Sequence, residues 1–477
     1  MPSAASPATN SPIPAAQPAP IAQPSLTVAA PTRVLSIDVL RGLTIALMIL
    51  VNGPGDWAHT YTQLDHAPWN GFTLTDFVFP NFLFLVGASI IFSLQSRIAR
   101  GASGILDKAT KKTLALHILR RAFLIFAIKM FLTAFPYFHY THFRIYGVLT
   151  RIALCYLIAG LTCLAVWNAT QRARALIAIT AALLIGYWAL LRFVPIPGLG
   201  TPTHDVPLLD PDRNLTAWLD RAISAFTQRT LHTGTLYEHT RDPEGLLSTL
   251  PAIATTLIGS LTALWLRRVR RVPHDRRGLT APIVGSVSYT NSTNPTVCHS
   301  DPEPVEGEEP PHLPRNAPAI SATRCLNSLI ASGVLTLAAG LLWNLSFPIN
   351  KNLWTSSYVL YSAGWSLLTL ALCYWLIDMR RLNDTPAGKA LLWPWLVFGS
   401  NAITAFVVSN LLVEIMLWIK VSDTTGKPIT AWLWTYRHLF ARHGSNEITS
   451  LAFAIAVVAV CFLPNWLLWR KRIFLKV

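Results

Sequence analysis

The densest cluster of polar residues in this chain follows its first apolar segment, over residues 52–82. The cluster contains two histidines, three aspartates and two Asn-Gly pairs among aromatic residues, and no lysine or arginine. A histidine can take up and return a proton near neutral pH, and its imidazole can also accept an acyl group as a nucleophile. Residues 52–82 are therefore the first place to look for proton transfer or covalent catalysis, with His59 and His66 as candidates.

The remainder of the chain has to position this cluster, and its composition indicates a membrane protein. Of 477 residues, 52% are hydrophobic and only 13% are charged, whereas a soluble domain carries roughly 25% charged residues. The net charge of +16 could indicate nucleic acid, but the chain offers little polar surface for such a partner, so we expect no nucleic-acid binding. The six cysteines are scattered singly, and their spacing predicts neither a metal site nor a disulfide framework.

Apolar segments long enough to cross about 30 Å of hydrocarbon define the expected fold class. We predict an all-α, polytopic integral membrane bundle of about ten transmembrane helices. The predicted spans are 35–51, 76–95, 114–134, 147–167, 175–194, 249–266, 326–345, 356–377, 392–418 and 448–469.

Basic residues predict the orientation of these spans. With the N-terminus inside, 25 of the 39 basic residues fall in cytoplasmic segments and 10 in outer segments. This bias follows the positive-inside rule, so we expect both termini to be cytoplasmic. Residues 52–75 then lie on the outer face.

Two segments have compositions that are unlike membrane structure. Residues 1–32 are rich in Pro and Ala and predict a disordered tail, while residues 273–322 predict a disordered cytoplasmic insertion. Residues 33–272 and 323–477 are expected to form a single transmembrane domain.

Five collinear blocks carry a resemblance to a known family. They are RVLSIDVLRGLTIALMILVNGPGDWAHTYTQLDHAPWNGFTLTDFVFPNFLFLVGASI at 33–90, FRIYGVLTRIALCYL at 143–157, DPEGLLSTLPAIATTLIG at 242–259, FPINKNLWTSSYV at 347–359 and WRKRIFLKV at 469–477. Together these blocks resemble the heparan-alpha-glucosaminide N-acetyltransferase family, and the bacterial-type members in particular.

The resemblance implies a transmembrane acyltransferase that uses acetyl-CoA from the cytosol as its co-substrate and no metal. The acceptor would be an amino sugar or a related glycan group on the periplasmic face of a bacterial inner membrane. The resemblance also implies contact with membrane lipid and a homodimer. His66, in HAPWNG, corresponds to the family's catalytic histidine. It could act as a general base or carry the acetyl group itself, and both mechanisms remain open.

Two further residues are catalytic candidates beside His66. Asp76 could orient the His66 ring, or it could be an ordinary carboxylate in a first helical turn. Asn52 could donate a hydrogen bond to the acyl carbonyl, or it could simply end a helix. The candidates for substrate binding are Trp69, Asn70, Arg144, Arg151, Asn350, Lys351, Asn352 and Asn401. For Arg144 and Arg151, pairing with a carboxylate of the bundle is the alternative, and for Asn401 it is a partner inside the bundle.

Two basic residues within spans are candidates for binding CoA. Arg41 could meet CoA phosphates or pair locally with Asp38, and Lys129 could bind CoA or pair within the bundle. A transporter or flippase for a glycan or lipid-linked substrate, without covalent chemistry, is the alternative function.

Overall fold

The computed structural model of the protein describes residues 34–98, 106–270, 322–423 and 426–475. The predicted tail 1–32 and all but the last residue of the predicted insertion 273–322 lie outside the described residues.

Thirteen α-helices make up most of the described structure, together with one small antiparallel hairpin. The helices are α1 (Leu35–Val51), α2 (Leu74–Ile98), α3 (Lys108–Ala134), α4 (Val148–Ala165), α5 (Arg172–Phe193), α6 (Leu215–Leu231), α7 (Thr249–Arg270), α8 (Ala322–Asn344), α9 (Ser356–Cys373), α10 (Pro386–Ser400), α11 (Ala402–Trp418), α12 (Ala431–Thr435) and α13 (Glu447–Arg470), and the strands are β1 (Lys420–Ser422) and β2 (Pro428–Thr430). π-helical turns continue α9 over Tyr374–Met379 and α12 over Tyr436–Phe440.

The predicted fold class is confirmed: the protein is an all-α polytopic membrane bundle. Within the described ranges, eight helices are long and apolar enough to cross a membrane, and α10 with α11 would make a ninth. Eight or nine such helices among the described residues are consistent with the predicted bundle of about ten. The predicted third span falls on α3, which is not among the eight because Arg120, Arg121 and Lys129 interrupt its apolar sequence.

The predicted ninth span, 392–418, is wrong as a single helix. α10 and α11 meet at an angle of 80° at Asn401. The chain therefore turns sharply in the middle of an apolar stretch, which periodicity and hydropathy alone do not reveal.

Close contact between α2 and α7 fixes the helix that carries Asp76. A Cβ atom added at Gly87 would lie 1.8 Å from the backbone oxygen of Thr256, and one at Gly259 would lie 1.9 Å from that of Phe84. Small residues at such crossings let two backbones approach closely, which is how membrane helices associate without a hydrophobic driving force.

The loops of interest gather at one end of the bundle, which we call the His66 end. Here α1 ends and α2 begins, so the loop 52–73 lies between them, and the loop 345–355 between α8 and α9 contacts it. α1 begins at the opposite end.

Candidate active site

A histidine–aspartate pair forms the centre of the site. The Nδ1 atom of His66 lies 2.7 Å from Oδ1 of Asp76. The Asp76 side chain is 1% exposed, whereas that of His66 is 44% exposed. With its proton on Nδ1, His66 donates to the buried carboxylate, and the lone pair of Nε2 remains as a hydrogen-bond acceptor.

Asp76 is held in place by the start of α2. Its Oδ2 atom accepts hydrogen bonds from the backbone amides of Ala67 and Thr73, at 3.1 and 3.2 Å, and from the Thr73 hydroxyl at 3.1 Å. The hydroxyl of Tyr358 donates to the Asp76 carbonyl at 2.7 Å. Thr73 and Asp76 have the spacing of a capping box, and this sequence signal points to Thr73 as a supporting residue that our sequence reasoning missed.

Lys351 is the third member of the cluster. Its Nζ atom lies 2.9 Å from Nε2 of His66, 3.2 Å from Nδ1, and 3.9 Å from Oδ1 of Asp76. Burial lowers the pKa of Lys351, while the charges of Asp76 and Glu244 act in the opposite direction. Lys351 is a candidate for substrate binding from the sequence, and the structure brings its ammonium onto the His66 ring.

Two asparagines join the two loops that form the site. The Nδ2 atom of Asn350 donates to Oδ1 of Asn70 at 3.1 Å, and the Gly71 amide donates to the Ile349 carbonyl at 2.9 Å. Gly71 has a φ of +135°, which side chains other than glycine rarely adopt. Asn350 is completely buried. These hydrogen bonds therefore join the loop that carries His66 to the loop that carries Lys351.

Three other candidates from the two loops do not contact His66 among the described hydrogen bonds. Trp69 donates from Nε1 to the Leu209 carbonyl at 2.9 Å and supports the guanidinium of Arg241 on its ring. Asn52 ends α1 with an exposed side chain, and Asn352 is half-buried beside Lys351.

Arg144 is occupied by carboxylates of the bundle. Its Nε and Nη2 atoms each lie 2.7 Å from the Asp242 carboxylate, and Nη2 also contacts Glu244. Its guanidinium lies 4.7 Å from the centre of the Tyr237 ring. Of the two roles considered for Arg144, the structure therefore favours structural pairing.

Arg151 differs from Arg144 because part of its guanidinium is unused. The side chain is 1% exposed, and its Nη2 atom donates to the Gly245 carbonyl at 3.1 Å and to Ser248. Its Nε and Nη1 atoms have no hydrogen-bond partner in the part of the chain that the structure describes. The guanidinium stacks 4.9 Å from the ring centre of Trp354, three residues after Lys351. Arg151 is therefore a buried donor close to the cluster.

The two candidates for CoA binding lie towards different ends of the bundle. Arg41 bonds to the Gly399 carbonyl and Ser89 hydroxyl, and its Nη1 atom lies 3.3 Å from Asp38, as the local-pair alternative requires. Lys129 contacts the Thr133 hydroxyl and the Arg144 carbonyl, near the Arg144 cluster at the His66 end.

Asn401 is not brought to His66, and the structure gives it the partner inside the bundle that was the alternative to substrate binding. Its Nδ2 atom donates to the Ile473 carbonyl at 3.1 Å and its Oδ1 accepts from the Leu475 amide at 2.9 Å. The neighbouring Gly399 packs on the backbone of Asp38, in the first turns of α1 and so towards the opposite end. Asn401 instead ties the α10–α11 bend to the segment after α13.

The fold and site together define a polytopic membrane protein with a histidine, a buried carboxylate and a lysine at one end of the bundle. The sequence matches the family described as "Heparan-alpha-glucosaminide N-acetyltransferase, catalytic" over residues 33–275. The chain belongs to this family.

Two relatives carry the name heparan-alpha-glucosaminide N-acetyltransferase. The Mus musculus protein is 26% identical over 422 residues, which cover 82% of this chain and 55% of that protein. The Homo sapiens protein is 24% identical over 484 residues, which cover 94% of this chain and 60% of that protein. The chain thus spans little more than half the length of these relatives.

Proposed function

We propose that this protein is a membrane N-acetyltransferase that moves an acetyl group from acetyl-CoA on the cytoplasmic side to an amino sugar on the outer side. The observation that carries the proposal is the contact of His66 with both Asp76 and Lys351. Family membership and the names of the two relatives support the same reaction.

The three side chains supply what acetyl transfer to an amine requires. His66 Nε2 takes the proton of the attacking amine as its nitrogen bonds to the acetyl carbon. The carbon–sulfur bond breaks, and the same proton passes from His66 to the departing thiolate. Asp76 fixes the ring and balances its positive charge. The Lys351 ammonium, which lies 2.9 Å from Nε2, turns from that nitrogen to the acetyl oxygen and stabilises the negative charge that develops there. An acetyl-histidine route would use the same nitrogen as a nucleophile.

A cationic cluster at the opposite end of the bundle fits the phosphates of CoA. Arg97 lies near the end of α2, and its Nη2 atom is 2.8 Å from Nε2 of His117 on α3. Arg120 and Arg121 add positive charge around the same histidine. When bound, acetyl-CoA would supply the activated acetyl group, and these residues would hold its charged portion. Because a highly charged CoA cannot cross lipid, the bundle itself must provide the path to His66.

Orientation and location are part of the proposal. The excess of basic residues in the predicted inner segments supports cytoplasmic termini and a periplasmic His66 end in a bacterial inner membrane. We further propose that the protein acts as a homodimer, and contact with membrane lipid follows from its fold.

Oriented membrane vesicles test the proposal. Labelled acetyl-CoA is supplied on the cytoplasmic side and glucosamine on the other, with wild type and His66→Ala compared at equal protein levels. We expect labelled N-acetylglucosamine with wild type only. Unlabelled glucosamine that crosses the membrane equally with both proteins, without acetylation, would instead establish a transporter.

A further inference from the structure

A long apolar groove lies on the outside of the bundle between α3, α4 and α6. Its volume is about 510 Å³, and almost all of its lining is apolar. Leu119 and Phe123 on its α3 wall are 52% and 64% exposed. Along α4 the groove extends from Thr150 to Leu157, which corresponds to roughly 10 Å of helix rise. Its length and lining suit a hydrocarbon chain within the membrane.

The groove becomes polar where it reaches the His66 end. Tyr146 and Glu244 both line it there. The Tyr146 hydroxyl is buried and has no hydrogen-bond partner among the described residues. Arg144 is shared between Asp242 and Glu244, and the Lys129 ammonium beside the Arg144 carbonyl balances the second carboxylate. The groove thus ends in an unused hydroxyl beside a network of charged side chains, which complement the hydroxyls of a sugar.

This polar end is connected to the proposed catalytic cluster through Arg151 and Trp354. The backbone amide of Trp354 donates to the Lys351 carbonyl at 3.0 Å, and the Lys351 Nζ atom lies 2.9 Å from His66 Nε2. Arg151, with its two unused donors, lies between the loop that carries Glu244 and Trp354. A head group at the end of the groove would therefore be close to the groups proposed to act on it.

We propose that the groove binds the hydrocarbon chain of a membrane-anchored amino sugar, whose head group Glu244 and Tyr146 present to His66. This inference rests on the proposed function and narrows its acceptor to an amphiphile. The hydrocarbon chain would lie along α3 and α4, with its amino sugar at the membrane surface.

Two acceptors that differ only in their chain test the inference. Dodecyl glucosaminide and methyl glucosaminide are compared in lipid nanodiscs with wild type, Leu154→Trp, which fills the groove, and Leu335→Trp. Leu335 is on α8 and 70% exposed, so its variant is a matched control for membrane partitioning. We expect wild type to prefer the dodecyl acceptor and Leu154→Trp to lower the dodecyl-to-methyl ratio of kcat/KM by about tenfold. Leu335→Trp should retain the wild-type ratio.

Three outcomes would overturn the inference. An unchanged dodecyl-to-methyl ratio in Leu154→Trp would show that the chain does not bind in the groove. A raised KM for acetyl-CoA in this variant would indicate that the groove binds the donor. A changed oligomeric state would indicate that the groove contacts a second copy of the protein. Leu157→Trp provides a second groove variant if the first does not fold.

A binding measurement separates this inference from the proposed function. A dodecyl glucosaminide with a photoreactive diazirine in its chain is crosslinked to wild type, and the labelled peptides are mapped. Labels on α3 and α4 that Leu154→Trp removes support the groove even if neither acceptor is acetylated. Acetylation of methyl glucosaminide with no label in the groove would retain the function and reject the groove.

Discussion

The loop 52–73 carries two histidines that each pair with an aspartate, and the two pairs have nearly the same geometry at their histidines. His66 lies 2.7 Å from Asp76, and His59 lies 2.7 Å from Asp56. The two histidine side chains are 44% and 45% exposed. Distance and histidine exposure therefore do not distinguish the proposed catalytic pair from the other pair.

The two pairs differ in the burial of their carboxylates and in the third group that each histidine contacts. Asp76 is 1% exposed, whereas Asp56 is 30% exposed and accepts a hydrogen bond from Ser445 at 2.7 Å. Beside its aspartate, the His66 ring faces a lysine ammonium, while among the described residues the His59 ring faces the Ser445 hydroxyl, at 3.3 Å. A buried carboxylate and a nearby cation provide the fixed charges that a developing transition state needs, and a solvated pair with a hydroxyl does not.

Replacing the two histidines should give the largest contrast. We expect His66→Ala to lower kcat at least about 10³-fold, because it removes the proton acceptor. His59→Ala should stay within about threefold of wild type, since it removes only a surface pair. Initial rates of glucosamine acetylation by purified proteins measure both. Equal losses in the two variants would show that the loop, and not His66, matters.

Replacing the two aspartates should give a smaller difference in kcat than replacing the two histidines, in the same direction. Asp76→Asn retains the size of the side chain but can present its amide to His66 Nδ1, which favours the wrong tautomer, so kcat should fall about 10²-fold. Asp56→Asn should retain most of the activity. The KM for glucosamine, measured in parallel, should change little in Asp76→Asn. A rise in KM with an unchanged kcat would instead make Asp76 a substrate-binding residue.

Replacing Lys351 should have a smaller effect on kcat, and this effect should depend on pH. Lys351→Met should lower kcat about 10- to 100-fold through lost charge stabilisation, with Ser445→Ala as its counterpart in the other pair. Because burial lowers the pKa of Lys351, wild type should lose this charge at a lower pH than an ordinary lysine would. Lys351→Arg, which stays charged, should therefore extend activity to more alkaline pH. Identical alkaline limbs in the kcat profiles of wild type and Lys351→Arg would refute this role.

Local parts of this arrangement could be predicted from the sequence. The spacing of apolar residues predicted α1 at the bounds that the structure has, and the HAPWNG motif singled out His66 within its loop. The capping-box spacing of Thr73 and Asp76 was also present. Such features depend on residues that are close together in the chain.

The contacts between distant segments could not be predicted. Lys351 meets His66 across 285 residues of sequence, and no local pattern records that the two loops share one end. Asn401 is the opposite case, because it bonds to Ile473, which lies 72 residues later in the sequence and away from the site. Hydropathy indicates that a segment lies in the membrane, but the neighbour of each polar group depends on helix packing.

The smallest effect is expected for the Asp56–His59 pair, which should contribute to the stability of the protein. The Ser445 hydrogen bond, together with His59 and the Ala58 amide, lowers the pKa of Asp56 to about 2. An aspartate whose pKa is lowered on folding contributes stability above its unfolded pKa, and this contribution is lost as the pH falls through the folded value. Asp56→Asn should therefore lower Tm by a few degrees at about pH 6, and the difference from wild type should shrink between about pH 4 and pH 2. Thermal melts in detergent at several pH values measure this, with Ser445→Ala expected to follow the same trend more weakly. A Tm difference that does not change with pH would mean that the Asp56 charge contributes nothing, and the pair would then be held by packing alone.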